Sequence, residues 1–252
     1  MTTIIHSVKD WILIRRSLKD QSLGFIPTMG ALHAGHLELV KKSLSENTLT
    51  MVSVFVNPTQ FNDPKDYEKY PIQVEQDIEL LRGLGVNYVF LPQYSEIYAD
   101  QYRYQVTEKE LSHILCGAHR PGHFDGVLTV VLKLLNLVQA HRAYFGEKDF
   151  QQLSLIQGMV EAFFIPTQII AHPTVREVDG LAMSSRNVRL SPEDRRKSVL
   201  FPKILKDATS CESARAELEY NGFIVDYIEE RFGRRLGAVR LGDVRLIDNV
   251  QR

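Results

Sequence analysis

Two histidines three residues apart, His33 and His36, sit in a glycine loop, "PTMGALHAGH", directly after the apolar run Leu23-Gly24-Phe25-Ile26. Gly30 and Gly35 have four residues between them, as in the phosphate-binding pattern G-x-x-x-x-G-K-[ST], but histidine follows Gly35 where that pattern has lysine. A lysine grips a triphosphate through a permanent charge. Histidine instead offers a compact, directional donor that meets charge as it develops on a transferring phosphoryl group. The glycines let the backbone approach an anion, and a helix starting near Gly35 would direct free N–H groups and a positive dipole at it. If the first turn there is helical, both rings face the same way. The bland alternative is a pair of turn histidines capping a helix, because short motifs also match by chance.

A second constellation lies far downstream, at Met183-Ser184-Ser185-Arg186-Asn187. Two hydroxyls and a guanidinium in a short polar loop form a natural triphosphate clamp, since arginine binds phosphate oxygens bidentately. Taken alone it reads as readily as a solvated loop ahead of a helix. Asn57-Pro58-Thr59-Gln60 follows a strand-like run and is good turn chemistry, yet its amides could donate to a carboxylate or hydroxyl. In "FGEKDFQQL", Gly146 permits a tight turn, Lys148 can reach phosphate, and Asp149 can cap a helix or bind ribose hydroxyls. "CGAHRPGHFDG" invites a zinc reading through Cys116, His119 and His123, but no fourth ligand is near. A substrate-side loop leading into the helix at Phe124 is the better reading.

The elements that must hold these groups alternate. Strand-like runs occupy Leu23–Pro27, Thr50–Val56, Val86–Leu91, Arg142–Phe145 and Thr167–Ala171, short and without polar alternation, as strands buried on both faces are. Between them lie helical stretches at His36–Glu46, Val74–Leu84, Phe124–Val138 and Phe150–Phe163. Within the third, Leu128, Val131, Leu132, Leu135 and Val138 form one broad apolar face. Such alternation predicts a Rossmann-like, doubly wound parallel α/β sheet, with ligands at the carboxyl ends of its strands. After Pro173 the texture changes. Ser191-Pro192-Glu193-Asp194 opens a helical stretch over residues 191–210, Glu212–Tyr220 follows, and strand-like runs stand at Ile224–Ile228 and Val244–Ile247. This divides the chain into 1–174 and a smaller C-terminal α+β domain at 175–252.

Composition sets bounds on partners. The chain has 252 residues, 44% hydrophobic and 24% charged, with net charge −1, so it has no general attraction to nucleic acid or anionic lipid. No stretch reaches the roughly 18 apolar residues of a membrane helix, and Met1-Thr2-Thr3-Ile4 lacks a secretion signal's basic region and apolar core. Two cysteines, Cys116 and Cys211, make no disulfide framework, which fits a reducing compartment. A cytoplasmic protein is the expectation.

Together, H-x-G-H and M-S-S-R-N resemble the two signatures of the adenylate-forming nucleotidyltransferases, which include class I aminoacyl-tRNA synthetases. The likeness narrows further. "PTMGALHAGH", "VSVFVNPTQFNDPKDYEKYP", "RPGHFDGV", "AYFGEKDFQQL", "MSSRN" and "RLIDN" stand in the order found in the pantothenate synthetase family. The resemblance implies ATP-dependent condensation of D-pantoate with β-alanine through a pantoyl adenylate. It implies ATP contacts along Met29, Gly30, Ala31, Leu32, His33, Ala34, Gly35 and His36, then Gly146, Glu147, Lys148 and Asp149. Val175 would meet adenine, and Met183, Ser184, Ser185 and Arg186 would complete the ATP site. His36, His33, Lys148 and Arg186 would be catalytic; Gln60, Gln152 and Asn57 would bind substrate. Mg2+ would arrive with ATP and be held mostly by phosphates and water, with Asp77 a candidate outer contact and no dedicated protein metal site. The family is usually homodimeric.

The tail departs from the family pattern: between Leu205 and Leu246 it reads as shortened and short of part of a strand pair. Three rivals remain at this point. Another nucleotidyltransferase would want a basic acceptor pocket, where this sequence offers glutamines. A tRNA synthetase would need an anticodon-binding domain and a basic surface. Against a non-catalytic nucleotide-binding protein or regulator speak the intact His36, Lys148 and Arg186, and turnover decides.

Overall fold

The computed structural model describes residues 1–18 and 21–252. In chain order its strands and helices are β1 (Thr3–Ile5), α1 (Val8–Ser17), β2 (Leu23–Thr28), α2 (Ala34–Glu46), β3 (Leu49–Val54), α3 (Pro64–Glu68), α4 (Val74–Gly83), β4 (Tyr88–Phe90) and α5 (Tyr94–Ile97). Next come α6 (Cys116–His119), α7 (His123–Val138), β5 (Arg142–Gly146), α8 (Phe150–Ala162) and β6 (Gln168–His172). The C-terminal part holds α9 (Pro192–Ser198), α10 (Leu200–Asp207), α11 (Cys211–Tyr220), β7 (Ile224–Arg231), β8 (Arg234–Leu241) and β9 (Val244–Gln251).

Six strands form one parallel sheet in the order β1-β4-β3-β2-β5-β6. The chain runs outward from β2 through β3 and β4, then resumes on the other side of β2 at β5. That reversal puts a topological switch point at the carboxyl ends of β2 and β5, where such sheets collect ligands. The expected α/β parallel sheet is therefore present, with one addition. β1 is a three-residue edge strand paired, among the described residues, to β4 alone. It feeds α1, whose Trp11 is fully buried and whose indole N–H donates to the Leu137 carbonyl at 3.0 Å. β1 is too brief for periodicity to reveal it, and α1 leaves Ile12 and Leu13 exposed, which blurs its apolar face.

The core explains the strand composition. Ile26, Val52, Val89 and Tyr144 are buried together, with Leu39, Val40 and Leu81 covering them from α2 and α4. α7 departs from the single apolar face expected of it. Val127, Leu128, Val130, Val131, Leu134 and Leu135 are all buried, so most of its circumference is enclosed, while Leu132 is only half-buried.

The C-terminal segment forms its own core around Phe201, Leu205, Leu218, Phe223, Val239 and Leu246. The stretch expected as one helix over 191–210 is two, α9 and α10. Ser191 caps the first by accepting from the Asp194 N–H, and Pro192 occupies its first turn. The expected gap in the strand pairing is not there. β7, β8 and β9 make a three-stranded antiparallel sheet, joined by turns at Phe232-Gly233 and Gly242-Asp243. β8 was missed because Arg234, Arg235 and Arg240 disguise it. Arg235 is fully buried, its guanidinium satisfied by Glu230 and by the Leu205 and Ala208 carbonyls.

By compactness the chain separates into two units. The first contains residues 1–32, 36–146 and 151–172; the second gathers 33–35, 147–150 and 173–252. Two short pieces from before residue 173 thus belong with the tail.

Candidate active site

The glycine loop is built by its own backbone demands. Gly30 and Ala31 both adopt the left-handed conformation, with φ of +78° and +50°. A glycine does this freely; an alanine does so only when its surroundings hold it there. Asp77 supplies that hold. Its buried carboxylate accepts from the Ala31 and Leu32 N–H groups, both at 2.8 Å, while the Gly30 N–H donates to Thr28 Oγ1 at 3.1 Å. Burial raises the Asp77 pKa, and the two backbone hydrogen bonds oppose the rise. The expected supply of free loop N–H groups is accordingly smaller than the sequence suggested. Gly30, Ala31 and Leu32 have spent theirs, so any nucleotide contact from them uses other atoms.

His33 does not share a helical face with His36, because α2 begins at Ala34 and His33 precedes it. The His33 ring turns back and accepts the Gly35 N–H on Nδ1 at 3.1 Å. A Cβ at residue 35 would lie 2.9 Å from that ring, so the glycine is there for the close approach. The accepted bond leaves the neutral ring's proton on Nε2. Burial, then the nearby Lys148 ammonium, lowers the His33 pKa to about 4 against the opposing pull of Asp149 and Glu177. At neutral pH His33 is an uncharged donor. The same Cβ position at Gly35 is 3.6 Å from Met183 Cβ, so the two signature motifs meet within the second unit.

Around Met183 the chain is tied into a small hairpin. The Met183 N–H donates to the Val175 carbonyl at 3.0 Å, and Arg176 bridges Ala182. Ser184, Ser185 and Arg186 are half-buried; the Ser184 hydroxyl accepts the Arg186 N–H at 3.2 Å. Asn187 is buried and donates to Glu177 and to the Ala182 carbonyl. Glu177 in turn pairs with Arg195 at 2.6 Å, and Arg176 grips the buried Asp248 with both terminal nitrogens, at 2.6 and 2.9 Å.

Residues Glu147, Lys148 and Asp149 form a single 3-10 turn between β5 and α8, in the second unit with His33. Asn249 on β9 donates to the Glu147 and Lys148 carbonyls at 2.8 and 3.1 Å. Arg234 on β8 pairs with the Glu147 carboxylate at 2.7 Å and stacks over the Phe150 ring at 4.5 Å. Neither Asn249 nor Arg234 was singled out from sequence, although "RLIDN" ends on Asn249.

In the first unit, with His36, Met29 and Gly146, the turn Asn57–Gln60 follows β3. Asn57 is buried, Gln60 half-buried, and helix α7 presses on both. A Cβ at Gly126 would fall 2.3 Å from the Thr59 carbonyl, so only glycine allows this contact. His123 Nδ1 donates to the Gln60 carbonyl at 2.8 Å, and its Nε2 accepts from Arg120 at 2.9 Å. Both ring nitrogens of the "RPGHFDG" histidine are thus engaged with protein atoms. Gln152 is half-buried on α8, whereas its neighbour Gln151 spends its amide on the Cys116 N–H and the Leu111 and Ile114 carbonyls.

A six-stranded parallel sheet with a glycine-histidine loop leaving the carboxyl end of β2 defines an α/β protein of the doubly wound class, whose ligands gather at the carboxyl ends of the strands. Comparison makes the assignment particular. The family model described as pantoate-beta-alanine ligase matches residues 1–251, and the chain belongs to that family. A pantothenate synthetase of Bdellovibrio bacteriovorus is 54% identical over 251 residues, covering 100% of both chains. One from Legionella pneumophila is 55% identical over 98% of each. Among solved structures, a pantoate-beta-alanine ligase from Francisella tularensis complexed with beta-gamma ATP and beta-alanine superposes with TM-score 0.96 at 45% identity, over 100% of this chain and 98% of that one. A pantothenate synthetase from Thermus thermophilus gives 0.92 at 39% identity, over 100% and 99%.

Proposed function

We propose that the chain makes pantothenate in two chemical steps. It is a ligase that joins pantoate to β-alanine and uses ATP. In the first step a pantoate carboxylate oxygen attacks the α-phosphorus of ATP, pyrophosphate leaves, and pantoyl adenylate forms. In the second the β-alanine amine attacks the acyl carbon, AMP leaves with the bonding electrons, and the amine loses a proton. A carboxylate is a poor acyl donor because oxide is a poor leaving group, and adenylation substitutes AMP for it. The chain's task is then positioning, charge stabilisation and exclusion of water.

The observation that carries this reading is the neutral His33 wedged against Gly35, with Met183 of the second signature beside it. An uncharged imidazole that carries its proton on Nε2 suits a phosphoryl oxygen that gains charge only during transfer. His36 is assigned the same task from the first turn of α2. Lys148 and Arg186 are assigned to the triphosphate, with Ser184 and Ser185 as hydroxyl donors. Met29 to Leu32, Ala34, Gly35, Gly146, Glu147 and Asp149 line the nucleotide, and Val175 meets adenine. Gln60, Gln152 and Asn57 are assigned to pantoate. Mg2+ enters with ATP, carried by phosphates and water; Asp77 is fully engaged with the glycine loop and fits a loop anchor better than an outer metal contact. We assign the protein to the cytoplasm as a homodimer, in keeping with its family.

Isotope exchange tests the reading. Pantoate alone should promote exchange of labelled pyrophosphate into ATP. Exchange that strictly requires β-alanine would overturn the two-step scheme.

A further inference from the structure

Asn57 and Gln60 carry amides, and an amide can present either a donor or an acceptor to a ligand. Their surroundings decide which. The Asn57 nitrogen faces the Gly126 carbonyl at 3.3 Å and Gln60 Oε1 at 3.1 Å. A carbonyl only accepts, so this end of Asn57 must be its NH2. The opposite end, Asn57 Oδ1, receives two hydroxyls: Tyr98 at 2.9 Å and Thr59 at 3.0 Å. With Asn57 fixed this way round, the oxygen of Gln60 is drawn to Asn57, and the far edge of the Gln60 amide is its NH2.

Tyr98 is built to keep its part. It is 1% exposed, its ring packed against Tyr94 and Tyr102 with centroids 4.9 and 5.3 Å away, and Lys133 lies 4.9 Å from the ring centre. Lys133 is itself fastened to Asp100 and to the Ile97 carbonyl. Burial pushes the Tyr98 phenol up to about 12, so its hydroxyl proton stays in place at any working pH.

We propose that Tyr98 and Thr59 are positioning residues that set the polarity of the Asn57–Gln60 amide pair, so that Gln60 presents N–H donors to an oxygen acceptor of pantoate. This rests on the assignment of Gln60 to pantoate above. The chemical consequence is selection for an oxygen-rich acid: the site reads acceptors, and a ligand offering an N–H donor at that point meets another donor.

A double-mutant cycle on the full-length enzyme tests it, with pantoate binding followed by calorimetry and KM values for all three substrates. Tyr98→Phe preserves the ring and removes one donor. It should weaken pantoate binding about tenfold, the usual worth of one buried hydrogen bond, while KM for ATP and β-alanine stays put. In a Gln60→Ala background, Tyr98→Phe should have no further effect, because no Gln60 amide remains to be oriented. A full second loss in that background would mark Tyr98 as merely structural and overturn the proposal, as would unchanged pantoate binding in Tyr98→Phe alone. If Gln60→Ala binds pantoate like the parent enzyme, the assignment of Gln60 fails first, and the relay with it. Should Tyr98→Phe fold poorly, Thr59→Val against Thr59→Ser runs the same cycle: serine should keep parent affinity, and valine should lose it.

Discussion

Asn249 donates from one side-chain nitrogen to two consecutive backbone carbonyls, those of Glu147 and Lys148, at 2.8 and 3.1 Å. The proposed phosphate ligand therefore sits on a turn whose main chain is held by the third strand of the C-terminal sheet. Removing the clasp by Asn249→Ala leaves two carbonyls without this donor, at about 1–3 kcal/mol of local stability. Adenylation should fall by roughly tenfold or more, with the KM for pantoate little changed. Pre-steady-state adenylate formation checks this; parent-like rates would mean that Lys148 needs no such support.

Asp77 plays the corresponding part for the glycine loop. In Asp77→Asn one oxygen still accepts an N–H, but the new NH2 opposes the other. Amide hydrogens of Ala31 and Leu32 should exchange with solvent faster, and adenylation should drop by about 10 to 100-fold, in keeping with a lost positioning contact. Unchanged exchange at both amides would show that the loop holds its left-handed turn unaided.

The His33 shift carries a stability signature. Its folded-state pKa is lowered to about 4 from an ordinary 6.5, so below 6.5 the unfolded chain binds a proton that the folded chain resists. The contribution of neutral His33 is complete above pH 6.5 and is lost progressively as pH falls towards 4. Denaturant unfolding measured from pH 7 to pH 4 should show a slope that His33→Asn flattens. A variant with the parent slope would place the acid sensitivity elsewhere.

For the transition-state donors, His36→Ala should lower the adenylation rate while leaving ATP affinity nearly intact, and His36→Gln should retain more activity because it keeps one N–H donor. Lys148→Ala and Arg186→Ala should each cost about 10² to 10³ in rate, with little change in melting temperature. Single-turnover kinetics beside equilibrium ATP binding separate the two patterns. Loss of ATP affinity in step with rate would make His36 a ground-state ligand.

Gly126→Ala puts a methyl where the Thr59 carbonyl already lies, 2.3 Å away. Either α7 or the Asn57 turn must move, at about 1–3 kcal/mol of stability. The KM for pantoate should rise and that for ATP should not. Equal changes in both would indicate a general disturbance of the sheet.

The sequence made the parallel sheet legible because β2, β3 and β5 are continuous apolar runs with few other interpretations. It made the candidate site's residue types stand out because long motifs surround them. The partnerships it hid, including the loop-anchoring role of the already noted Asp77, follow a rule. Asp77, Tyr98, Arg234 and Asn249 all act through atoms distant in sequence, by 45 residues between Asp77 and Leu32 and 102 between Asn249 and Glu147. No local period or spacing encodes such partners. β8 was hidden differently, by arginines whose charges are neutralised only once the sheet exists.

The second unit draws on three separate stretches of chain, residues 33–35, 147–150 and 173–252. Inheritance feels that scattering. A recombination crossover between residues 150 and 173 would pass no strand boundary of the C-terminal sheet, yet it would join one parent's Glu147 and Lys148 to another parent's Arg234 and Asn249. Chimeras between relatives should therefore tolerate such a crossover where both parents keep Asn249 and agree on the Glu147–Arg234 pair, and the turn at 147–150 travels, in effect, with the end of the gene.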